Sequence, residues 1–338
     1  MAVSILARAG VDDENISSRN HDNDPAVRIR PGVVTALILF HASLILAPWT
    51  FTWAGFFTAC ALVLLTGPIG IGLGYHRLLC HRSFATASWL RYLFALLGVL
   101  ACQRGPLAWS ALHRLHHRDA DSDHDPHMSG RGFLWAHILW AVSDQVAGRV
   151  TKERIRKLTA DLHREPVLRF LERNFFALNA LFALGLFLLG WLLDGFQLAA
   201  SLVVWGFFVR IIYTWHVTLL VNSVSHRWGY RNYASPDNSR NCWWVALLTF
   251  GEGWHNNHHH RPRCAAHGHR WFELDLTYRA IRLLEWTGLA HGVVRPGKRL
   301  VFNRLESAGE MINGVRLAVR ARWRCVPEMI LRLKHEFR

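Results

Sequence analysis

The sequence predicts an all-α integral membrane protein: four transmembrane helices in two hairpins, with a cytosolic helical cap holding a histidine-rich dimetal centre. Three observations lead there. Two apolar blocks, 33–73 and 175–221, are each long enough for two passes of about 20 residues through hydrocarbon. Lys and Arg number 39 against 24 Asp and Glu in a chain that is 51% hydrophobic, and the basic residues collect between and around the apolar blocks. Three histidine clusters lie after the first block, between the blocks and after the second.

The elements follow in chain order. Residues 1–32 form a polar leader without the apolar core of a signal peptide, expected to be disordered and cytosolic. Pro48 to Trp53 interrupts the first apolar block and splits it into spans at about 33–49 and 53–73. The segment Trp89 to Cys102 is apolar but only about 14 residues long, which suits a buried or interfacial helix. Asp194-Gly195 breaks the second block into spans at about 175–193 and 198–221. Both turns, Ala47 to Trp53 and Asp194 to Gln197, lack Lys and Arg, while arginines flank both hairpins. The positive-inside rule therefore places the turns outside and the leader, the middle segment and the C-terminal part inside. With an even number of spans, every histidine cluster of the 33–300 domain reaches the cytosolic face. The tail, 301–338, mixes Arg316, Arg320, Arg322, Arg324 and Arg332 with apolar residues and reads as a basic amphipathic helix on an anionic leaflet or as a solvated tail.

Charge alternating with apolar blocks points to a lipid bilayer as the partner and away from nucleic acid. Cys60, Cys80, Cys102, Cys242, Cys264 and Cys325 show no CxxC pair, which excludes a thiolate metal cluster and a disulfide framework and suits a reducing cytosol. Within the spans, His41 and His216 are expected to be buried hydrogen-bonding groups, and Arg210 to face either a cavity or a backbone carbonyl.

The clusters carry the chemistry. His113, His116 and His117 in HRLHH stand at i, i+3, i+4, which a helix presents on one face, and His255, His258 and His259 in HNNHH repeat the set. His76 and His81 in HRLLCH straddle a helix end, so each is expected to serve a different metal. Eight imidazoles exceed what one ion takes, which argues for two ions; zinc, copper, iron and nickel all suit such donors. Asn222 and His226 at the end of the last span add a ninth imidazole and a side chain that ligates or holds a metal-bound water. His124, His127, His260, His267 and His269 break the spacing and read as surface or supporting groups. Isolated His137, His163 and His291 read as interface residues. Asp119, Asp121, Asp123, Asp125, Glu252 and Asp275 are candidates to orient the ligands.

The strings HRLLCHRSF, HRLHHRDADSDHDPH, NSVSH and GEGWHNNHH resemble the histidine boxes of the integral-membrane fatty acyl desaturases of the delta-9 type, in family order and spacing from about Gly70 to Leu289. The resemblance implies a non-haem di-iron centre of two Fe2+ ions held by His76, His81, His113, His116, His117, His226, His255, His258 and His259, with Asn222 on a metal-bound water. It implies O2 as co-substrate, a cis double bond placed at delta-9 in a saturated acyl chain, and a tunnel that Gln103 and Trp109 help shape. A separate electron donor, such as a ferredoxin or a cytochrome b5-like protein, is implied, since no such segment is visible. Animal acyl-CoA desaturases carry an Arg-Asp pair where this chain has Ala111 and Leu112, so the carrier is a lipid or CoA, with the run around them closer to bacterial acyl-lipid enzymes. Leu219 stands at a position that is aromatic in the family, which bears on chain length and double-bond position. The rivals are a membrane hydroxylase or oxygenase on the same scaffold and a metal-handling membrane protein.

Overall fold

The computed structural model describes residues 28–144, 146 and 150–297. Most of the expected leader and the whole basic tail lie outside them.

Helix α1 (Pro31–Ala42) begins with Pro31, whose missing N–H costs nothing in a first turn, and tightens into a 3-10 turn at Ser43–Leu46. Helix α2 covers Trp53–Cys80, 28 residues, with Thr52 Oγ1 capping its start by accepting from Gly55 N. From Leu65 onward its turns widen to the π form around Pro68, which has no amide hydrogen to keep the regular ladder. The helix therefore runs past Leu73 and delivers His76 at its end.

Helix α3 (Ser88–Leu100) answers the short apolar segment. It lies along α2 because glycine permits it: a Cβ on Gly98 would stand 2.4 Å from the Tyr75 ring, and one on Gly70 2.6 Å from the backbone of Leu97. Its carbonyl end is buried against later helices. Arg210 Nη1 donates to Leu100 O at 2.7 Å, Asn179 Nδ2 to Val99 O at 3.1 Å and Trp215 Nε1 to Cys102 O at 3.0 Å. Non-helical backbone at this depth is tolerated because such partners satisfy it. Arg210 thus binds backbone carbonyls, Gly206 O among them, together with Thr66 Oγ1. It is fully buried.

Helix α4 (Pro106–Asp119) carries the second histidine cluster. Its first amides, Leu107 N and Ala108 N, donate to the Glu172 carboxylate, which complements the positive end of the helix. A short helical stretch α5 (135–142), α6 (Lys152–Leu158) and α7 (Pro166–Arg173) follow. Helices α8 (175–193) and α9 (196–223) form one largely apolar run of 49 residues that folds back at Asp194 and Gly195, where Gly195 takes φ +72°. Gly190 meets Ala199 across the bend, 2.6 Å from where its Cβ would sit. Helices α10 (Trp243–Leu248), α11 (His255–His260) and α12 (Leu276–Trp286) complete the cap. A two-residue antiparallel pairing, Ala85 with His291 and Thr86 with Ala290, ties the cap together.

By length and composition two runs, Trp53–Cys80 and Phe175–Ser223, suffice to cross a membrane, while the α1 run, Pro31–Leu46, is shorter. The bends between α1 and α2 and between α8 and α9 meet at one end: Gln197 Nε2 donates to Trp49 O at 3.1 Å and Trp205 Nε1 to Ala47 O at 3.1 Å. The helices expose large apolar side chains, among them Leu39, Phe57, Phe176, Leu181 and Leu192, a surface that water would not tolerate at this density.

Candidate metal centre

Among the described residues, nine imidazoles gather at the opposite end of the bundle in two groups. His76, His81, His113, His117 and His258 form one; His116, His226, His255 and His259 form the other. Each helical triplet feeds both groups, because α4 and α11 lie across the boundary between them. His76 and His81 fall in the same group, contrary to the expectation that they part, because His81 lies just past the end of α2 and its ring comes within 4.8 Å of His76.

Each local sequence explains its side chains. The Gly251-Glu252-Gly253 turn precedes α11; Gly251 holds φ +124°, and a Cβ there would sit 2.4 Å from Asp275 Oδ1. The asparagines of HNNHH face away from the imidazoles. Asn256 Oδ1 accepts from the amides of Asn232 and Tyr233, and Asn257 Nδ2 donates to His267 O and Glu273 Oε2. They clamp a helix of six residues that would not persist alone.

The rings are oriented by carboxylates. His76 Nδ1 donates to Glu252 Oε2 at 2.6 Å, His116 Nδ1 to Asp125 at 3.0 Å, His226 Nδ1 to Asp121 Oδ2 at 2.8 Å and His259 Nδ1 to Asp237 Oδ2 at 2.8 Å. Three of these carboxylates stood among the sequence candidates. Asp237 did not: it lies in a turn after Pro236, with no spacing that marks it. Asp119 instead pairs with Arg118 at the surface. Arg77, directly after His76, is fully buried and donates to Glu252 Oε1 at 2.8 Å, Asp275 Oδ2 at 3.0 Å and Ala265 O at 2.6 Å. Nothing in the local sequence announces an arginine buried beneath a histidine cluster.

Protonation follows from burial. Burial pushes the imidazoles of His113, His117, His255 and His258 well below the ordinary histidine value, and His259 to about 4, so each offers a lone pair at neutral pH. Burial alone would raise the carboxyls of Asp121 and Asp125, but the imidazoles of His226 and His116 beside them outweigh it and hold both below the usual range.

One contact tests whether the residues fit a metal. His116 and His259 both donate from Nδ1 to carboxylates, which turns the Nε2 of each ring toward the other ring. Those two Nε2 atoms face each other at 3.2 Å. Without a proton between them the contact is repulsive, and a shared cation resolves it. Similarly, His113 Nε2 lies 2.9 Å from His81 Nε2 and 3.0 Å from His117 Nε2, a convergence that one N–H does not satisfy. The residues fit metal ions at both groups.

An apolar cavity leads to this end of the bundle. Val63, Gly67 and Ile71 of α2, Tyr213, Val217 and Val221 of α9, and Leu248 and Phe250 line it; His76, His113, His255, Asn222 and Trp109 close it. Trp109 stacks on His113 at 5.0 Å. Gln103 is not among the lining residues; its Nε2 donates to Thr214 O and Thr218 Oγ1 beside the wall.

A model of the family described as fatty acid desaturase matches residues 47–291. The chain belongs to the fatty acid desaturase family. It is a membrane enzyme that desaturates fatty acyl chains, as the family and the apolar helices together establish. Among curated relatives, the desaturase is 46% identical over 255 residues to the sn-1 stearoyl-lipid 9-desaturase of Anabaena variabilis, covering 75% of this chain and 88% of the relative. It is 41% identical over 287 residues to the protein of that name from Synechocystis, covering 83% and 86%. It is 44% identical over 258 residues to the sn-2 palmitoyl-lipid 9-desaturase of Nostoc, covering 76% and 87%.

Several other described histidines of the desaturase also find places. His127 packs on His116 with ring centroids 4.1 Å apart, and His267 lies 3.3 Å from Glu252, both buried. His269 is buried on Ala266 O, whereas His260 and His124 are exposed, His260 stacked on Tyr233. His41 and His216 are hydrogen-bonding groups, as expected, but half-buried rather than buried. His137, expected to be an isolated interface residue, joins them: His41 Nε2 contacts His216 Nε2, His216 Nδ1 contacts His137 Nε2, and His137 Nδ1 contacts Ser223 Oγ, each at 3.0 Å. The relation is tertiary and leaves no trace in spacing.

Proposed function

We propose that the enzyme is an O2-dependent acyl-lipid 9-desaturase with a di-iron centre on the cytosolic face. The ligands in this reading are His76, His81, His113, His117 and His258 for one ion and His116, His226, His255 and His259 for the other, with Asn222 holding a water. The bundle is read as four spans, α1, α2, α8 and α9, whose bends face outward and whose arginine-flanked ends face the cytosol.

The observation that carries the reading is the cavity: an apolar channel between two membrane helices that ends on paired imidazole groups. An unactivated methylene pair offers no polar handle, so positioning falls to shape. Val63, Ile71, Val217 and Val221 exclude water from the chain, and Trp109, stacked on His113, closes the end where reaction occurs. When bound, two iron ions with O2 supply an oxidant able to break an aliphatic C–H bond. Overall, two hydrogens leave adjacent methylenes, and O2, two electrons and two protons complete two waters. Glu252, Asp125, Asp121 and Asp237 hold the imidazoles of His76, His116, His226 and His259 by Nδ1 and keep those four Nε2 atoms turned inward. The electrons come from a separate ferredoxin-like or cytochrome b5-like donor.

A lipid carrier is supported by the relatives' named substrates and by two positions. Ala111 and Leu112 are buried in α4 and present no charge to a CoA phosphate. Expression in a host without its own desaturase, followed by lipid-class-resolved analysis, tests this. The expected product is a delta-9 cis alkene on glycerolipid, formed only with O2. A product confined to acyl-CoA refutes the carrier, and an alcohol in place of an alkene points to the hydroxylase reading.

A further inference from the structure

The two imidazole groups differ in a property that ligand counting does not reveal. In the four-imidazole group, His116, His226 and His259 each donate from Nδ1 to an aspartate, with Asp125 and Asp237 buried and Asp121 partly buried. In the five-imidazole group only His76 does so, to Glu252; His81, His113, His117 and His258 have no carboxylate partner among the described residues. Glu252 is also shared. Its other oxygen accepts from Arg77, whose guanidinium also pairs with Asp275. The Arg77–Glu252–Asp275 assembly therefore brings one net negative charge to five imidazoles, whereas Asp121, Asp125 and Asp237 bring three to four, none of them paired with Lys or Arg among the described residues.

We propose that the centre is charge-asymmetric: the four-imidazole position binds its ion more tightly and fills first, and the five-imidazole position fills second and exchanges more readily. A carboxylate on the far nitrogen makes an imidazole a stronger donor and places negative charge near the ion in a poorly screened interior. The fifth imidazole adds one neutral donor to the other position, while each extra aspartate adds a full charge. Charge outweighs donor number here because both groups have buried members in a poorly screened interior: His116, His226 and His255 in one, His76 and His258 in the other. Asp121, Asp125 and Asp237 are thus positioning residues that act through their imidazoles, and Asp237 has the same standing as the two in the DSDHDPH string. The asymmetry presupposes the two-metal reading.

The test is stepwise Co2+ titration of the full chain, stripped of metal and held in lipid nanodiscs, followed by the visible absorption of bound Co2+ against a competing chelator. Two binding classes are expected, at least tenfold apart in affinity. Asp125→Asn and Asp237→Asn are expected to weaken the tight class about 10–100-fold and leave the weak class unchanged, and Glu252→Gln to do the reverse. His259→Gln should remove the tight class and His117→Gln the weak one, which assigns each class to its group. Two equal classes in the parent protein overturn the asymmetry without recourse to any variant. An aspartate variant that weakens both classes equally, while its metal-free unfolding midpoint matches the parent, overturns the assignment of cause. Total uptake of one equivalent overturns the two-metal reading itself rather than the asymmetry.

Discussion

Replacing Arg77 with Met should destabilise the protein more than almost any other single substitution. Its guanidinium has no solvent exposure and holds three groups at once: Glu252 at 2.8 Å, Asp275 at 3.0 Å and Ala265 O at 2.6 Å. Met fills much of the volume but leaves two buried carboxylates facing one another and a carbonyl without a donor. Breaking a buried ion pair by removing one partner costs about 3–5 kcal/mol, and an orphaned buried acceptor about 1–3 kcal/mol. Part of this is recovered, because Glu252 keeps its bond from His76 and Asp275 keeps the amides of His267 and Tyr278. The net expectation is a loss of about 4 kcal/mol. Denaturant unfolding of the purified metal-free protein in nanodiscs measures it, and the double variant Arg77→Met with Glu252→Gln supplies the control. With one charge neutralised, the double variant should be at least about 1 kcal/mol more stable than the sum of the single effects predicts. A loss below about 1 kcal/mol for Arg77→Met, or strict additivity in the double variant, would refute the argument that Arg77 neutralises this pocket.

Other consequences are equally open to measurement. Gly98→Leu should prevent α3 from lying along α2, since even a Cβ meets the Tyr75 ring, and the variant should unfold at lower denaturant and accumulate poorly in membranes. Asp161 accepts from Arg114 at 2.7 and 2.9 Å and from Arg82 at 2.5 Å; burial raises its carboxyl, but these guanidiniums outweigh burial and hold it below the usual range. Its contribution is therefore present above the unfolded carboxyl value near 3.9 and lost as pH falls. Asp161→Asn should cost about 1–2 kcal/mol at pH 7, with the gap to the parent closing below about pH 4. Chelation with a strong divalent-metal ligand should abolish product and lower the thermal midpoint, and Fe2+ should restore both; activity that survives complete metal removal would contradict the proposed centre.

Much of this molecule is local and hence legible. The apolar blocks, the break at Asp194-Gly195 and the i, i+3, i+4 histidine sets depend on periodicity and on hydropathy over short windows, which a single chain displays directly. The short segment before the second cluster was readable as a buried or interfacial helix for the same reason: its length is set by the sequence alone. The continuation of α2 past Leu73 was less legible, because Pro68 and the glycines weaken the helical pattern while the widened turns accommodate them.

What the linear order could not carry is the partition of the histidines. Spacing predicts which rings share a helix face, but His116 and His117 are adjacent and still enter different groups, because α4 and α11 cross at the boundary. Asp237 reaches His259 from 22 residues away, Arg77 reaches Asp275 from 198, and the His41–His216–His137 contacts join three separate elements. The sequence by itself therefore determined that this protein enters a membrane, carries two metals' worth of imidazole and belongs among acyl desaturases. Only the tertiary structure decided which imidazoles gather in each group, which carboxylates orient them, and how unevenly charge is spread between the two groups. The reason is physical: donor type and helix periodicity are properties of neighbouring residues, whereas the field at an ion depends on charges converging through space from every element around it.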